Sequence, residues 1–157
     1  MPIVTGQSAP DFSLFDSDKN KVNLSDFRKK NVLLLFFPLA FTGVCTKELC
    51  SIRDNITLYN NADAQVLGIS VDSLYVLNKF KEEQHLNFPL LSDFNRQASK
   101  AFDVLYETFP SFDMQGVSKR AAFVIDKEGI IQYAEICPTP RDLPDFEAIN
   151  KVLSELN

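Results

Sequence analysis

The stretch "NVLLLFFPLAFTGVCTKELC", Asn31 to Cys50, decides the fold by the order of its residue types. After Asn31 the run to Phe37 is wholly apolar and only one strand long, the pattern of a strand buried on both faces of a sheet. Pro38 ends that strand, because proline has no N–H to give to a ladder. Thr42 is then a candidate helix cap, Glu48 lies near the first turn, and Leu49, Ile52, Ile56 and Tyr59 recur at helical spacing. The helix is expected to run from the turn at Thr42 as far as Tyr59.

Working outward, "DFSLFD" (Asp11 to Asp16) and "KVNLSDF" (Lys21 to Phe27) alternate well enough for a hairpin around "SDKN". "AQVLGISV" (Ala64 to Val71) is a second buried strand, and "SLYVLNKFKEEQ" (Ser73 to Gln84) is an amphipathic helix. "PLLSD" follows the Asn87-Phe88-Pro89 punctuation, with a short helix over Arg96 to Phe102. An irregular stretch covers Asp103 to Lys119. "RAAFVID" and "GIIQYAEI" pair across Lys127-Glu128-Gly129, a turn-forming sequence. A last helix covers about Leu143 to Leu156. No linker, repeat or low-complexity segment interrupts the chain, so residues 1–157 read as one domain. Strand–helix–strand–helix followed by a hairpin and a helix implies an α/β layer fold around a mixed sheet. A thioredoxin-like arrangement fits this order, with a hairpin at the amino terminus and helices flanking the sheet.

The charge balance excludes several functions. A net charge of −5 and a pI near 4.9, with only short basic clusters at Arg28-Lys29-Lys30 and Lys119-Arg120, argue against a nucleic-acid surface. The longest apolar run is about half of the roughly 20 residues a membrane helix needs. "MPIVTGQSAPDF" lacks the basic start and apolar stretch of a signal peptide. A cytoplasmic location is expected, where three cysteines remain free thiols rather than a disulfide framework.

The sulfurs carry the chemistry. Zinc needs four ligands in paired spacings, and the chain offers three cysteines and one histidine, His85, forty residues from Cys45. No metal or other cofactor is expected. His85, in "EEQHLNF", reads as a solvated helix-end residue, so a Cys–His nucleophile has no base. A dithiol pair of the Cys-x-x-Cys type is closer, but Cys45 and Cys50 are five residues apart. In a helix that separation rises about 7.5 Å and turns about 140°. The α-carbons then stand roughly 8–9 Å apart, beyond the roughly 7 Å reach of a disulfide. A permanent staple is disfavoured; a bond coupled to local unwinding stays open. Cys45 itself falls in the first helical turn, where free amides and the macrodipole favour an anion. Thr42 can place a hydroxyl beside the sulfur, and Pro38 walls the pocket from water. A thiolate with donors but no acid–base histidine suits attack on an O–O bond better than on an amide.

Pro38-x3-Thr42-x2-Cys45 resembles the Pro-x-x-x-Thr/Ser-x-x-Cys signature of the peroxiredoxins. "GQSAPDFSL", "VLGISVDS", "FPLLSD" and "KRAAFVIDKEGII" resemble other segments of that family, in the same order. Within it, "FFPLAFTGVCTKEL" and the short carboxyl terminus are most similar to the AhpE-like branch. Cys50 departs from that branch and stands at the spacing used for resolution in the PrxQ branch; Cys137, in "EICPTP", departs as well.

The resemblance implies a thiol peroxidase that needs no cofactor and takes hydrogen peroxide or organic hydroperoxides. Cys45 is then the peroxidatic cysteine, becoming a sulfenic acid, and Thr42 positions the peroxide. Arg120 stabilises thiolate and leaving oxygen, Glu48 orients Arg120, and Cys50 is the expected resolving cysteine. The partners implied are a peroxide and an external thiol reductant (thioredoxin, glutaredoxin or a small thiol), with a homodimer and without nucleic acid or membrane. A one-cysteine cycle resolved directly by an external thiol is the alternative. Outside catalysis, the competing classes are a thiol–disulfide reductase and a thioredoxin-fold binding or holdase module. Cys137 reads as a buried strand-end residue. Phe41 and the loop "TFPSFDM" (Thr108 to Met114) are either an apolar wall for organic substrates or plain core and dimer contacts.

Overall fold

The computed structural model describes residues 3–156; Met1 and Pro2 of the amino-terminal segment read above, and Asn157, lie outside them. The expected hairpin forms from β1 (Ser13–Asp16) and β2 (Lys21–Asn23). Asp16 holds its turn, Oδ1 accepting the amides of Asp18 and Asn20 at 2.8 and 2.9 Å, the local bonding that suits aspartate to turns. β2 is shorter than the Lys21–Phe27 reading. Asp26 reaches back to the Asn23 amide at 2.9 Å, closing a capping box that turns Leu24–Phe27 into a 3-10 helix.

β3 (Asn31–Phe36) is followed by α1 (Gly43–Asp54) and α2 (Ile56–Asn61). The single helix expected through Tyr59 is thus broken at Asn55. There the side-chain amide donates to the Ser51 carbonyl at 2.8 Å, the competition with the backbone that makes asparagine a poor helix-interior residue. Then come β4 (Ala64–Ser70), α3 (Leu74–Glu83), β5 (Leu90–Ser92), α4 (Gln97–Ala101), β6 (Ala121–Ile125), β7 (Ile131–Ile136) and α5 (Phe146–Glu155). Ser73 caps α3 by accepting the Val76 amide, and Asp145 caps α5 by accepting the Ala148 amide.

The seven strands form one sheet in the order β2-β1-β5-β4-β3-β6-β7. β3 runs parallel to β4 and antiparallel to β6, and β1 joins β5 antiparallel, so the sheet is mixed as expected. All six residues of β3 are buried. Leu33, Leu35 and Phe37 pack with Leu49, Ile52, Leu77, Phe80, Ile149 and Leu153 beneath α1, α3 and α5. Val32, Leu34 and Phe36 pack on the opposite face with Phe12, Phe102 and Phe123. Two apolar faces on one strand explain the unbroken run, each such side chain contributing about 1.5–3 kcal/mol when fully buried.

Strand parity then places the site. In β6, Ala122 and Val124 face the α1 side while Ala121 and Phe123 face away. Arg120 shares the parity of Ala122, so the alternation of side chains along a strand points it towards α1. Ala121 pairs with Phe36, which puts Arg120 at the carboxyl end of β3, where α1 begins.

Candidate active site

α1 buries Cys45, Glu48, Leu49 and Ile52, an i, i+3, i+4, i+7 stripe that lies along one helix face. Two residues of that stripe are apolar anchors against the sheet, and two are ionisable. Thr42 is the N-cap, in extended conformation, and the first intrahelical bond runs from the Thr46 amide to the Thr42 carbonyl at 2.9 Å. The amide of Cys45 therefore precedes the ladder, at the positive end of the helix.

Arg120, the residue just before β6, meets this stripe. Its Nη2 donates to the Cys45 sulfur at 3.2 Å and to the Pro140 carbonyl at 2.8 Å, and its Nη1 donates to Glu48 Oε1 at 2.6 Å. Exposure is 1% for Cys45, 0% for Glu48 and 1% for Arg120. Glu48 falls near the start of α1, as expected from sequence, but not in its first turn. It stands one turn further in, facing the core, as the ion-pair partner of Arg120. Burial pushes its carboxyl up to about 7 from an ordinary 4.5; the charge and hydrogen bond of Arg120 oppose this, and the nearby Glu135 adds to it. Burial alone would pull Arg120 down, but Glu48 and then Cys45 outweigh it and leave the guanidinium raised.

Pro38 is buried beneath the turn. The Thr42 side chain does not cap the helix: its hydroxyl donates to the Leu39 carbonyl at 2.7 Å, which commits the proton and leaves the oxygen as an acceptor. Phe41 holds a left-handed backbone at φ 66°, a conformation costing a non-glycine residue about 1–2 kcal/mol. Two contacts hold it. The Phe41 ring packs on Phe80 with centroids 5.1 Å apart, and the neighbouring Ala40 amide donates to Asp72 Oδ2 at 2.8 Å. Asp72, also bonded by the Ser70 hydroxyl at 2.7 Å, thus pins the loop between β3 and α1 from the end of β4. The sequence reading missed it; the polar "SVDS" after an apolar strand was its only signal.

Cys50 lies off the buried stripe, half-buried, with its thiol 3.5 Å from Gln84 Oε1 and α1 wound without interruption between it and Cys45. All three cysteines are free. Cys137 is 3% exposed; burial first, then Glu135 and Glu48, push its thiol up to about 12, so it stays protonated at neutral pH. His85 is exposed just past α3. Phe112, in the loop named above, is exposed, while Phe109 packs edge-on to Tyr106. Among the described residues no helix is long and apolar enough to cross a membrane.

Residues 5–134 match the AhpC/TSA family. The chain is 41% identical to peroxiredoxin Bcp of Escherichia coli (strain K12) over 133 residues, which are 84% of this chain and 85% of that protein. It is also 41% identical to alkyl hydroperoxide reductase E of Mycobacterium tuberculosis (strain ATCC 25618 / H37Rv) over 134 residues, 83% and 84% of the two chains. The crystal structure of peroxidoxin BcpB from Mycobacterium tuberculosis superposes with a TM-score of 0.85 at 28% identity, covering 98% of this chain and 97% of that one. The mixed sheet with its flanking helices is the thioredoxin-like arrangement expected from the sequence.

The raised Glu48 carboxyl has a measurable consequence. The folded protein holds that proton up to about 7, whereas a solvated carboxyl loses it near 4.5. Between those values the native state binds more protons, and stability falls as pH rises. Glu48→Gln cannot ionise, so its denaturation midpoint should lose this part of the decline between about pH 4.5 and pH 7. Parallel curves for the two proteins would show that Glu48 holds no such proton.

Proposed function

The chain belongs to the AhpC/TSA family and is a peroxiredoxin, a thiol peroxidase, and on that premise we propose that Cys45 is its peroxidatic nucleophile. The observation that carries this is the Arg120 guanidinium 3.2 Å from the Cys45 sulfur, both nearly closed to solvent. Arginine keeps its charge at any working pH, so the sulfur has a permanent cation beside it.

The thiolate attacks the terminal oxygen of hydrogen peroxide or an organic hydroperoxide. An S–O bond forms, the O–O bond breaks, and its electron pair leaves with the departing oxygen. Cys45 becomes a sulfenic acid. As charge moves from sulfur to the leaving oxygen, Arg120 and the Cys45 amide stabilise it, a preorganised contribution of about 10²–10³-fold per donor. The Thr42 hydroxyl, its proton held by Leu39, accepts from the O–H of the incoming hydroperoxide and aligns it. Pro38 shields the sulfur from water, and Glu48 holds Arg120 in place.

For the recycling half, the reading is a Cys45–Cys50 disulfide, formed after the amino-terminal turns of α1 unwind and reduced by an external thiol: thioredoxin, glutaredoxin or a small thiol. Its support is that Cys50 is half-buried and Cys137 is a buried, protonated thiol, which leaves Cys50 the better placed of the two. The reading takes residues 1–157 as one domain, located in the cytoplasm and paired as a homodimer. One sheet carrying both apolar cores supports the first point. Exposed Phe15, Tyr75 and Phe94 around a surface cleft of about 550 Å³ support the third. Sedimentation as a 17.8 kDa species alone would remove the dimer.

Peroxide treatment followed by mass spectrometry tests the sulfur roles. Cys45→Ser should abolish peroxide turnover. The wild type and Cys137→Ser should give an internal disulfide that Cys50→Ser lacks. A wild type that accumulates only a trappable sulfenic acid on Cys45 is a one-cysteine enzyme, and turnover that survives Cys45→Ser removes the peroxidatic assignment.

Asp72 is a positioning residue in this reading, acting through the Pro38–Thr42 loop. Asp72→Ala should lower kcat/KM for peroxide roughly 10–100-fold, the scale of a small misplacement of reacting groups. Asp72→Asn keeps an acceptor for the Ala40 amide and should restore most of that loss. If the asparagine variant is as impaired as the alanine one, the hydrogen bond to Ala40 is not what matters.

A further inference from the structure

Arg120 is one buried cation bonded to two buried acids. Its Nη1 meets Glu48 at 2.6 Å and its Nη2 meets Cys45 at 3.2 Å, all three residues being 0–1% exposed. The other titratable groups facing Glu48 add no positive charge: Glu135 on β7 and Cys137 just after it, with Cys45 on the same helix. Ionising both acids would leave the buried cluster with a net negative charge. Two anions held on one buried guanidinium repel more strongly than they would in water, because the surrounding dielectric is lower. Ionising one leaves it neutral.

A second observation says where the proton goes. Glu48 Oε2 is buried with no hydrogen-bond partner among the described residues. A carboxylate with one oxygen undonated in a buried setting is penalised more heavily than the neutral acid, because burying a charge costs more than burying an unpaired hydroxyl.

We propose that Cys45 and Glu48 share a single negative charge through Arg120: Glu48 is protonated while Cys45 is a thiolate, and ionises when Cys45 becomes a sulfenic acid. This rests on Cys45 being the peroxidatic residue. The elevated proton affinity of the Glu48 carboxyl, driven first by burial, agrees with it. The attack step then balances internally. Thiolate, Glu48 carboxylic acid and hydroperoxide give sulfenic acid, Glu48 carboxylate and alcohol or water. Sulfur loses an electron pair to the peroxide, and the leaving oxygen ends protonated without net proton uptake from solvent. When an external thiol reduces Cys45 again, the regenerated thiol's proton returns to Glu48. Arg120 keeps one anion through the attack step, so the site holds no unpaired buried cation as the sulfenic acid forms.

Infrared difference spectroscopy on the full chain reads the Glu48 carboxyl directly. Near about pH 6 the reduced protein should show a protonated-carboxyl band that Glu48→Gln lacks, and stoichiometric hydrogen peroxide should remove it as the sulfenic acid forms. Cys45→Ser, with no thiolate to compete, should show a Glu48 midpoint lower by roughly one pH unit or more, a tenfold change in proton affinity. Should Glu48→Gln fail to fold, an indicator dye in weak buffer reads the wild type alone. No proton uptake should accompany sulfenic acid formation, and uptake of a full proton per peroxide overturns the proposal. A band that persists unchanged after Cys45 is oxidised overturns it while leaving the peroxidase reading intact. If peroxide oxidises another residue and not Cys45, both fall together.

Discussion

A guanidinium cannot be taken out of water without anions and acceptors to receive it, and Arg120 is taken out almost completely. The receiving groups are Glu48, the Cys45 sulfur and the Pro140 carbonyl, which come from α1 and from the loop after β7. The cation therefore ties together three parts of the chain that no local interaction would unite. Removing one partner of such a buried pair typically costs about 3–5 kcal/mol. The same contacts that secure the fold also make the sulfur's surroundings positive, so under the proposed chemistry stability and reactivity depend on one interaction.

α1 has to satisfy two demands at once. Its first half is held by Arg120 through Cys45 and Glu48, while Leu49 and Ile52 anchor the helix to the sheet. Its second half is tied to the end of α3: Arg53 donates to the Gln84 carbonyl at 2.5 Å, the Cys50 thiol approaches Gln84 Oε1, and Asn87 donates to the Arg53 carbonyl. A wound α1 keeps Cys45 at the amino-terminal amides and Cys50 away from it. Bringing the two sulfurs together breaks helical hydrogen bonds and at least one of these two ties. In the proposed cycle, reaction with peroxide and resolution by Cys50 thus require different conformations of the same dozen residues.

The resemblance carried Cys45, Thr42, Pro38 and Arg120 from the sequence, and the structure brings Cys45 and Arg120 into contact. Glu48 was legible as an acid near Cys45 but not as a buried one. An acid early in a helix looks the same whether it faces water or the core, and only the arrival of Arg120 on that face distinguishes them. Thr42 was read as a helix cap and is the N-cap residue, but its hydroxyl is bonded to Leu39 and not to a helix amide, because the turn after Pro38 brings that carbonyl within its reach. The break at Asn55 hides inside a good helical pattern, since Tyr59 returns to the core on the far side of it. Asp72 had only the faint signal of one polar residue after a strand until the Ala40 amide is seen to land on it.

What the sequence by itself determined is local. A strand apolar on both faces, proline ending it, a cysteine three residues past a capping threonine, and a five-residue separation that a wound helix cannot bridge all follow from backbone periods and side-chain type. What only the tertiary structure decided is which residues share the buried cation. Arg120 is seventy-five residues from Cys45 along the chain. Their meeting depends on the antiparallel pairing of β6 with β3 and on the parity that turns Arg120 towards α1. Strand period fixes that a residue faces one side or the other, but register and neighbour choice set which helix waits there, and those are properties of the assembled sheet.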